Sequence, residues 1–148
     1  MSTYTQILYQ IVFSTKDREK TLVKEGRERL FKFIWGIIKN KQSHLYRING
    51  IEDHIHIVTH LHPSIALADF VKAIKMSSSK MIKEENLFPD FIGWQIGYAG
   101  FTYSMDAKDN LIEYVKNQEE HHKKITSKEE LIVLLREHNI DFDPKYLE

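Results

Sequence analysis

The stretch HLYRINGIEDHIHIVTHL, residues 44–61, decides the fold. It reads as two strands, residues 44–51 and 54–61. Asn49-Gly50 near the end of the first is a strong hairpin signal. Side chains alternate across a strand. In the second strand Ile55, Ile57, Thr59 and Leu61 therefore share one face, and His54, His56, Val58, His60 and His62 share the other. The aliphatic face belongs against helices. The histidine face then looks away from that core or into a cleft.

The flanks extend this pattern. Residues 5–14 alternate, with Ile7, Tyr9, Ile11 and Phe13 on one face, and predict a first strand. Between residues 21 and 40 the apolar Leu30, Phe33, Ile34, Ile37 and Ile38 recur at helical spacing. After the hairpin, Pro63-Ser64 marks a stop, with Ser64 as N-cap of a helix that turns Leu67, Phe70, Val71, Ile74, Met81 and Ile82 inward. Pro89 breaks the chain, and residues 93–103 predict a fourth strand whose glycines suggest a bulge or a close backbone approach. Asp106 caps a helix over 106–122. Ser127 with Glu130 forms a capping box for a last helix over 128–138, followed by an irregular tail. Strand, helix, strand, strand, helix, strand is the split βαβ, or ferredoxin-like, α+β pattern, here with two helices appended. The helices are expected on one face of the sheet. So common a fold leaves function to the site.

A length of 148 residues predicts one domain, 1–148, with its own core. The 42% hydrophobic and 28% charged residues suit a globular protein rather than a disordered one. There is no cysteine, which excludes disulfides and thiolate metal sites and suits a reducing cytoplasm. Any metal must be held by His, Asp, Glu, Gln or Asn. No basic-then-apolar leader is visible, and the charge-free runs are too short and polar to span a membrane. A net charge of zero gives no basic field over the whole protein, so nucleic-acid binding would need a local patch.

His54 and His56 lie two apart on a strand, roughly 6.5–7 Å along the chain. Two imidazoles at that spacing can converge on one metal. The bland alternative is a half-exposed polar strand face, and His60 and His62 stay with it. On the 106–122 helix, Tyr114 and Gln118 are four apart and therefore neighbours beside the inner stripe of Leu111, Val115 and His122. They read either as a boundary tyrosine and a surface amide, or as chemistry. A tyrosine hydroxyl attacks a phosphodiester when a metal polarises the phosphate and a nearby group accepts the proton. Two histidines and a glutamine suit octahedral Mg²⁺ or Mn²⁺, and would also accept Zn²⁺.

These residues carry a resemblance. Asp53-His54-Ile55-His56 on a strand and Tyr114-Val115-Lys116-Asn117-Gln118 on a later helix resemble the single-tyrosine HUH transposases. These are the small transposases of the IS-two-hundred/IS-six-hundred-five insertion-sequence group. The likeness extends to Val12-Phe13-Ser14-Thr15-Lys16, to Lys75-Met76-Ser77-Ser78-Ser79-Lys80, and to residues 94–101. It implies an enzyme that cuts and rejoins single-stranded DNA. It further implies His54, His56 and Gln118 as metal ligands for Mg²⁺ or Mn²⁺. Tyr114 would be the nucleophile, forming a 5′-phosphotyrosine link and freeing a 3′-hydroxyl. It implies a homodimer able to exchange the tyrosine helix, DNA with hairpin ends as partner, and no membrane association.

A DNA surface is expected from Lys72, Lys75, Ser78, Lys80 and Lys83, extended by Arg47, although a solvated amphipathic helix gives the same pattern. Related readings are a domesticated HUH nickase acting on repeated hairpins and a replication-initiator-like nickase. Readings of another class are a non-catalytic ferredoxin-like nucleic-acid-binding module and a regulatory metal-binding domain.

Overall fold

The structure is a computed structural model and describes residues 2–147. Its strands are β1 (Leu8–Ser14), β2 (His44–Gly50), β3 (His54–His60) and β4 (Ala99–Tyr103). Its helices are α1 (Lys24–Asn40), α2 (Leu67–Glu85), α3 (Lys108–Lys116), α4 (Gln118–His121) and α5 (Ser127–Glu137). The sheet runs β2-β3-β1-β4 with every pair antiparallel, the expected ferredoxin-like α+β arrangement. β3 is therefore internal, paired to β1 with Ser14 opposite His54 and Val12 opposite His56. His54 and His56 are buried as a consequence.

The two faces of β3 serve different cores. Ile55 and Ile57 join Leu30, Ile34 and Ile38 of α1 and Phe70, Val71, Ile74, Met81 and Ile82 of α2 in the main core. α1 and α2 thus cover one face, as expected, and the histidine face is covered by the appended C-terminal helices. Val58 and Leu8 pack against Leu111 and Val115 of α3, while Val12 and Phe101 pack against Leu134 and Leu135 of α5. The physical reason is that Leu8, Val12 and Val58 make this face apolar around its histidines, and apolar sheet surface must be buried.

Several local expectations shift. The hairpin corner is residues 51–53 rather than Asn49-Gly50, which remain paired opposite His56 and Ile55. Gly50 serves close approach instead: a Cβ there would meet the His54 carbonyl oxygen and lie 2.9 Å from the Ile55 Cα. Residues 93–98 leave the strand, apart from a single bridge between Thr15 and Trp94, because Gly93 and Gly97 take positive φ. Trp94 packs edge-on to Phe13 and Phe91, while Ile96 stands 96% exposed. Ser64 caps no helix; α2 follows Ala66, and the Ser64 hydroxyl pairs with His62 Nδ1 at 2.7 Å. His60 is structural too, accepting from the Ile7 N–H at 3.1 Å. Asp106 lies in a 3₁₀ turn, Met105–Ala107, and the expected 106–122 helix divides into α3 and α4 at Asn117. No helix of the described residues is long and apolar enough to cross a membrane.

Ile57 is fully buried in the main core. Ile57→Ala is expected to destabilise the protein by about 2–5 kcal/mol through reduced burial and the cavity left behind. Gly50→Ala is expected to cost about 1–3 kcal/mol by forcing the hairpin backbone apart. Urea denaturation reads both, and a Gly50→Ala variant as stable as wild type would contradict the close-approach account.

Candidate metal and nucleophile site

β3 supplies His54 and His56 from adjacent positions of one face, and their Nδ1 atoms are taken by fixed partners. His54 Nδ1 donates to Asp53 Oδ1 at 2.7 Å, and His56 Nδ1 donates to Gln10 Oε1 of β1 at 2.8 Å. Asp53 is held in turn by the Ser127 hydroxyl at 3.1 Å, which accepts from Arg18 Nη1 at 2.9 Å. Gln10 donates through Nε2 to the Tyr103 hydroxyl at 2.7 Å. These bonds fix both rings and turn both Nε2 atoms toward the covering helices.

Those helices bring Tyr114, Gln118, His121, His122 and Glu130 to meet them. The end of α3 is pinned to β2, because Asn49 Nδ2 donates to the carbonyls of Val115 and Lys116 at 3.1 and 3.0 Å. The backbone break at Asn117 follows, and α4 then aims Gln118 inward, where it is wholly buried. α5 is capped by Thr126, whose side chain accepts from the Glu129 N–H while the Glu129 carboxylate accepts from the Thr126 N–H. The capping box is thus one residue earlier than Ser127 with Glu130. That offset frees Ser127 for Asp53 and Glu130 for the histidines.

Glu130 is the centre of the site. Its Oε1 lies 2.8 Å from His56 Nε2, 3.2 Å from His54 Nε2 and 3.1 Å from His122 Nε2. Its Oε2 accepts from the Tyr114 hydroxyl and from Gln118 Nε2 at 3.0 Å, with His121 Nε2 at 3.3 Å. Gln118 Oε1 lies 3.2 Å from His54 Nε2. All four residues expected in the chemistry, His54, His56, Tyr114 and Gln118, are therefore gathered around one carboxylate. The sequence pattern puts that carboxylate in a helix cap and His122 on an inner stripe, and names neither as a metal ligand. The available signal is the overlap of two capping phrases, Thr126 to Glu129 and Ser127 to Glu130, of which only one can cap.

The electrostatics follow from burial around this anion. Burial alone would raise the Glu130 pKa, but hydrogen bonds from His122, His54 and His56 hold it far below the carboxylate range. Burial likewise opposes charge on His54, yet the bonds to Asp53 and Glu130 raise it to about 9. His56 has the same carboxylate beside it but is deeper, and burial carries it down to about 4. Burial and the neighbouring Glu130 charge raise the Tyr114 phenol, so it is protonated at neutral pH in this arrangement. A cation near the hydroxyl would reverse that.

The residues fit a divalent cation by the chemistry of their donors. His54, His56, His122 and Glu130 offer ligand atoms within 4.8 Å of one another, and the Gln118 oxygen lies beside them. The expected DNA-contact residues lie elsewhere. α2 packs on the opposite sheet face, where Lys72, Lys80 and Lys83 are exposed; Arg47 of β2 is exposed too, opposite Val58 of the histidine face. Lys75 Nζ instead donates to the carbonyls of Gln95 and Gly97 at 2.6 and 2.7 Å, securing the loop before β4. Ser78 is fully buried and accepts from Trp94 Nε1 at 3.0 Å, so its hydroxyl holds that loop rather than facing solvent.

The fold is of mixed α+β class. The fold is shared with a solved structure of a REP-associated tyrosine transposase bound to a REP hairpin, at a TM-score of 0.63 and 13% identity, covering 84% of this chain and 76% of that one. It is also shared with a putative transposase from Deinococcus radiodurans, at a TM-score of 0.62 and 24% identity, covering 80% and 95%. The family described as IS200-like transposase matches residues 3–118, and the chain belongs to that family. Among its relatives is the ISDra2 transposase TnpA of Deinococcus radiodurans, 24% identical over 119 residues, covering 76% of this chain and 84% of the relative.

Asn49 ties the tyrosine helix to the sheet by two bonds. Asn49→Ala is expected to lower stability by about 1 kcal/mol and to loosen the end of α3. Hydrogen exchange should show faster exchange of the last turn of α3, with the main-core strands unchanged. Unaltered exchange there would contradict the pinning role.

Proposed function

We propose that the protein cleaves and rejoins single-stranded DNA at insertion-sequence ends through a covalent link to Tyr114, assisted by Mg²⁺ or Mn²⁺. The observation that supports this most is the meeting of the Tyr114 hydroxyl with His54, His56 and Gln118 around one buried carboxylate. Tyr114 is the nucleophile, and His54, His56 and Gln118 hold the ion.

In the reaction the Tyr114 oxygen bonds to phosphorus and the bond from phosphorus to the 3′-oxygen breaks. The 5′-phosphate then stays on Tyr114; the Tyr114 hydroxyl gives up its proton to solvent, and the freed 3′-oxygen takes one up, so no net proton is gained or lost. The 3′-hydroxyl of another strand end can attack the link and reseal the DNA, so the phosphodiester energy is retained without a nucleotide cofactor. When bound, the cation withdraws charge from the phosphate and favours the phenolate. Asp53 and Gln10 keep the histidine rings in position throughout. Glu130 accepts the Tyr114 hydrogen bond and so orients its hydroxyl.

The DNA partner is single-stranded with hairpin ends, and the working unit is a homodimer able to exchange the tyrosine helix. The exposed α2 cations Lys72, Lys80 and Lys83 are across the sheet from the histidine face, which suits a hairpin stem held away from the cut strand, while Arg47 stands opposite Val58 on the histidine side. Lys72→Ala with Lys83→Ala is expected to weaken hairpin binding and to reduce its logarithmic salt slope by about 2, because each lysine removed leaves one phosphate with its counterions. An unchanged slope would remove α2 from the DNA surface.

Covalent capture tests this function. Labelled single-stranded DNA from the flanks of the protein's own gene is mixed with protein and Mg²⁺ or Mn²⁺, then run on a denaturing gel. A metal-dependent adduct that disappears in Tyr114→Phe and in His56→Ala is expected. Hairpin binding with no adduct in any of the three proteins would support a non-catalytic binding module instead.

A further inference from the structure

Three imidazoles in this protein have the same hydrogen-bonding plan. His54 Nδ1 faces a carboxylate, His56 Nδ1 faces an amide carbonyl, and His122 Nδ1 faces the Ile125 backbone carbonyl at 2.8 Å. Each of these partners only accepts, so each Nδ1 carries its hydrogen. In the neutral ring Nε2 is then a lone-pair nitrogen. All three Nε2 atoms point at one atom, Glu130 Oε1, from 2.8 to 3.2 Å.

Without a cation, that oxygen has a donor only where a ring carries a second proton, as His54 does; a neutral ring sets an acceptor against an acceptor. The other oxygen, Oε2, is different, since it receives true donors from Tyr114 and Gln118. The two oxygens of one carboxylate thus have distinct surroundings: Tyr114, Gln118 and His121 lie against Oε2, while the Nε2 atoms of three histidines converge on Oε1. A cation among the lone pairs resolves the conflict with a single charge. The spacing agrees: adjacent ligand atoms about 2.1–2.2 Å from an octahedral ion lie about 3 Å apart. Second partners that fix the far nitrogen of each ring are the usual support of metal-holding histidines.

We propose that His122 and Glu130 are also ligands of the ion, joining His54, His56 and Gln118 in a site of three imidazoles, one carboxylate and one amide oxygen. Both added residues lie beyond residues 3–118, the part of the chain that the family match covers. The metal centre is thus completed by a segment outside the matched region, the turn after α4 and the first turns of α5. A set so rich in nitrogen favours Mn²⁺ or a later first-row ion over Mg²⁺, which prefers oxygen ligands and its own waters. The inference rests on the metal-assisted reading above and names the ligands that reading left open.

The test is Mn²⁺ binding by full-length protein, followed by electron paramagnetic resonance, with Mg²⁺ as competitor and the DNA adduct read in parallel. One Mn²⁺ per chain that resists excess Mg²⁺ is expected, and pulsed spectra should show three coupled imidazole nitrogens. Glu130→Gln and His122→Gln should each weaken Mn²⁺ binding by at least about tenfold. Lys128→Ala, on the exposed side of α5, should bind Mn²⁺ like wild type. Circular dichroism confirms that the variants fold, and the nitrogen count needs no variant at all. Two coupled nitrogens in wild type overturn the inference. So does Mn²⁺ binding in Glu130→Gln that is unchanged or tighter, the latter marking Glu130 as a plug rather than a ligand. Wild type that binds Mn²⁺ through three imidazoles yet forms no adduct leaves the inference standing and defeats the transposition chemistry.

Discussion

Burial of the Glu130 carboxylate on the histidine face is the interaction on which the site depends. Taking a carboxylate out of water costs several kcal/mol unless its oxygens are well partnered. Here both oxygens are engaged, one by Tyr114 and Gln118 and the other by the Nε2 atoms of three histidines. Removing any one of these groups leaves a buried charge less well compensated. The same carboxylate therefore links β3, α3, α4 and α5.

The geometry of those elements explains why the carboxylate can arrive there. β3 is internal, so its histidines cannot turn to solvent. Leu8, Val12 and Val58 draw α3 and α5 over the same face. Asn49 fixes where α3 ends, and the break at Asn117 redirects the chain so that Tyr114 and Gln118 approach the anion from separate helices. Thr126 takes the cap of α5 and leaves Ser127 and Glu130 facing inward, one to Asp53 and the other to the histidines. The candidate site and the packing therefore use the same face. In this IS200-like transposase the site is framed by a helix outside the family-matched residues.

Much of this is legible in the chain. The alternation in 54–61 separates the histidine face from the aliphatic one, and the order of elements gives the sheet its topology. His54, His56, Tyr114 and Gln118 stand out through spacing and through likeness to a family. Glu130 does not, because a capping phrase fits at Thr126 and again at Ser127, and local preference cannot choose between them. The choice is made by Asp53, more than seventy residues away in sequence, which takes the Ser127 hydroxyl. β4 is shorter than its pattern suggests for a related reason. Trp94 to Phe101 alternates like a strand, but Gly93 and Gly97 adopt positive φ and Lys75 ties the loop down from α2. Lys75 and Ser78 resemble surface groups for DNA because sequence shows their helix face but not the loop that lands on it.

The most direct test is a crystal of the full-length protein grown with Mn²⁺ and measured at the manganese absorption edge. The account predicts one anomalous peak on the histidine face, about 2.0–2.3 Å from the Nε2 atoms of His54, His56 and His122 and from a Glu130 oxygen. An ion held by His54 and His56 while His122 and Glu130 turn away would contradict it.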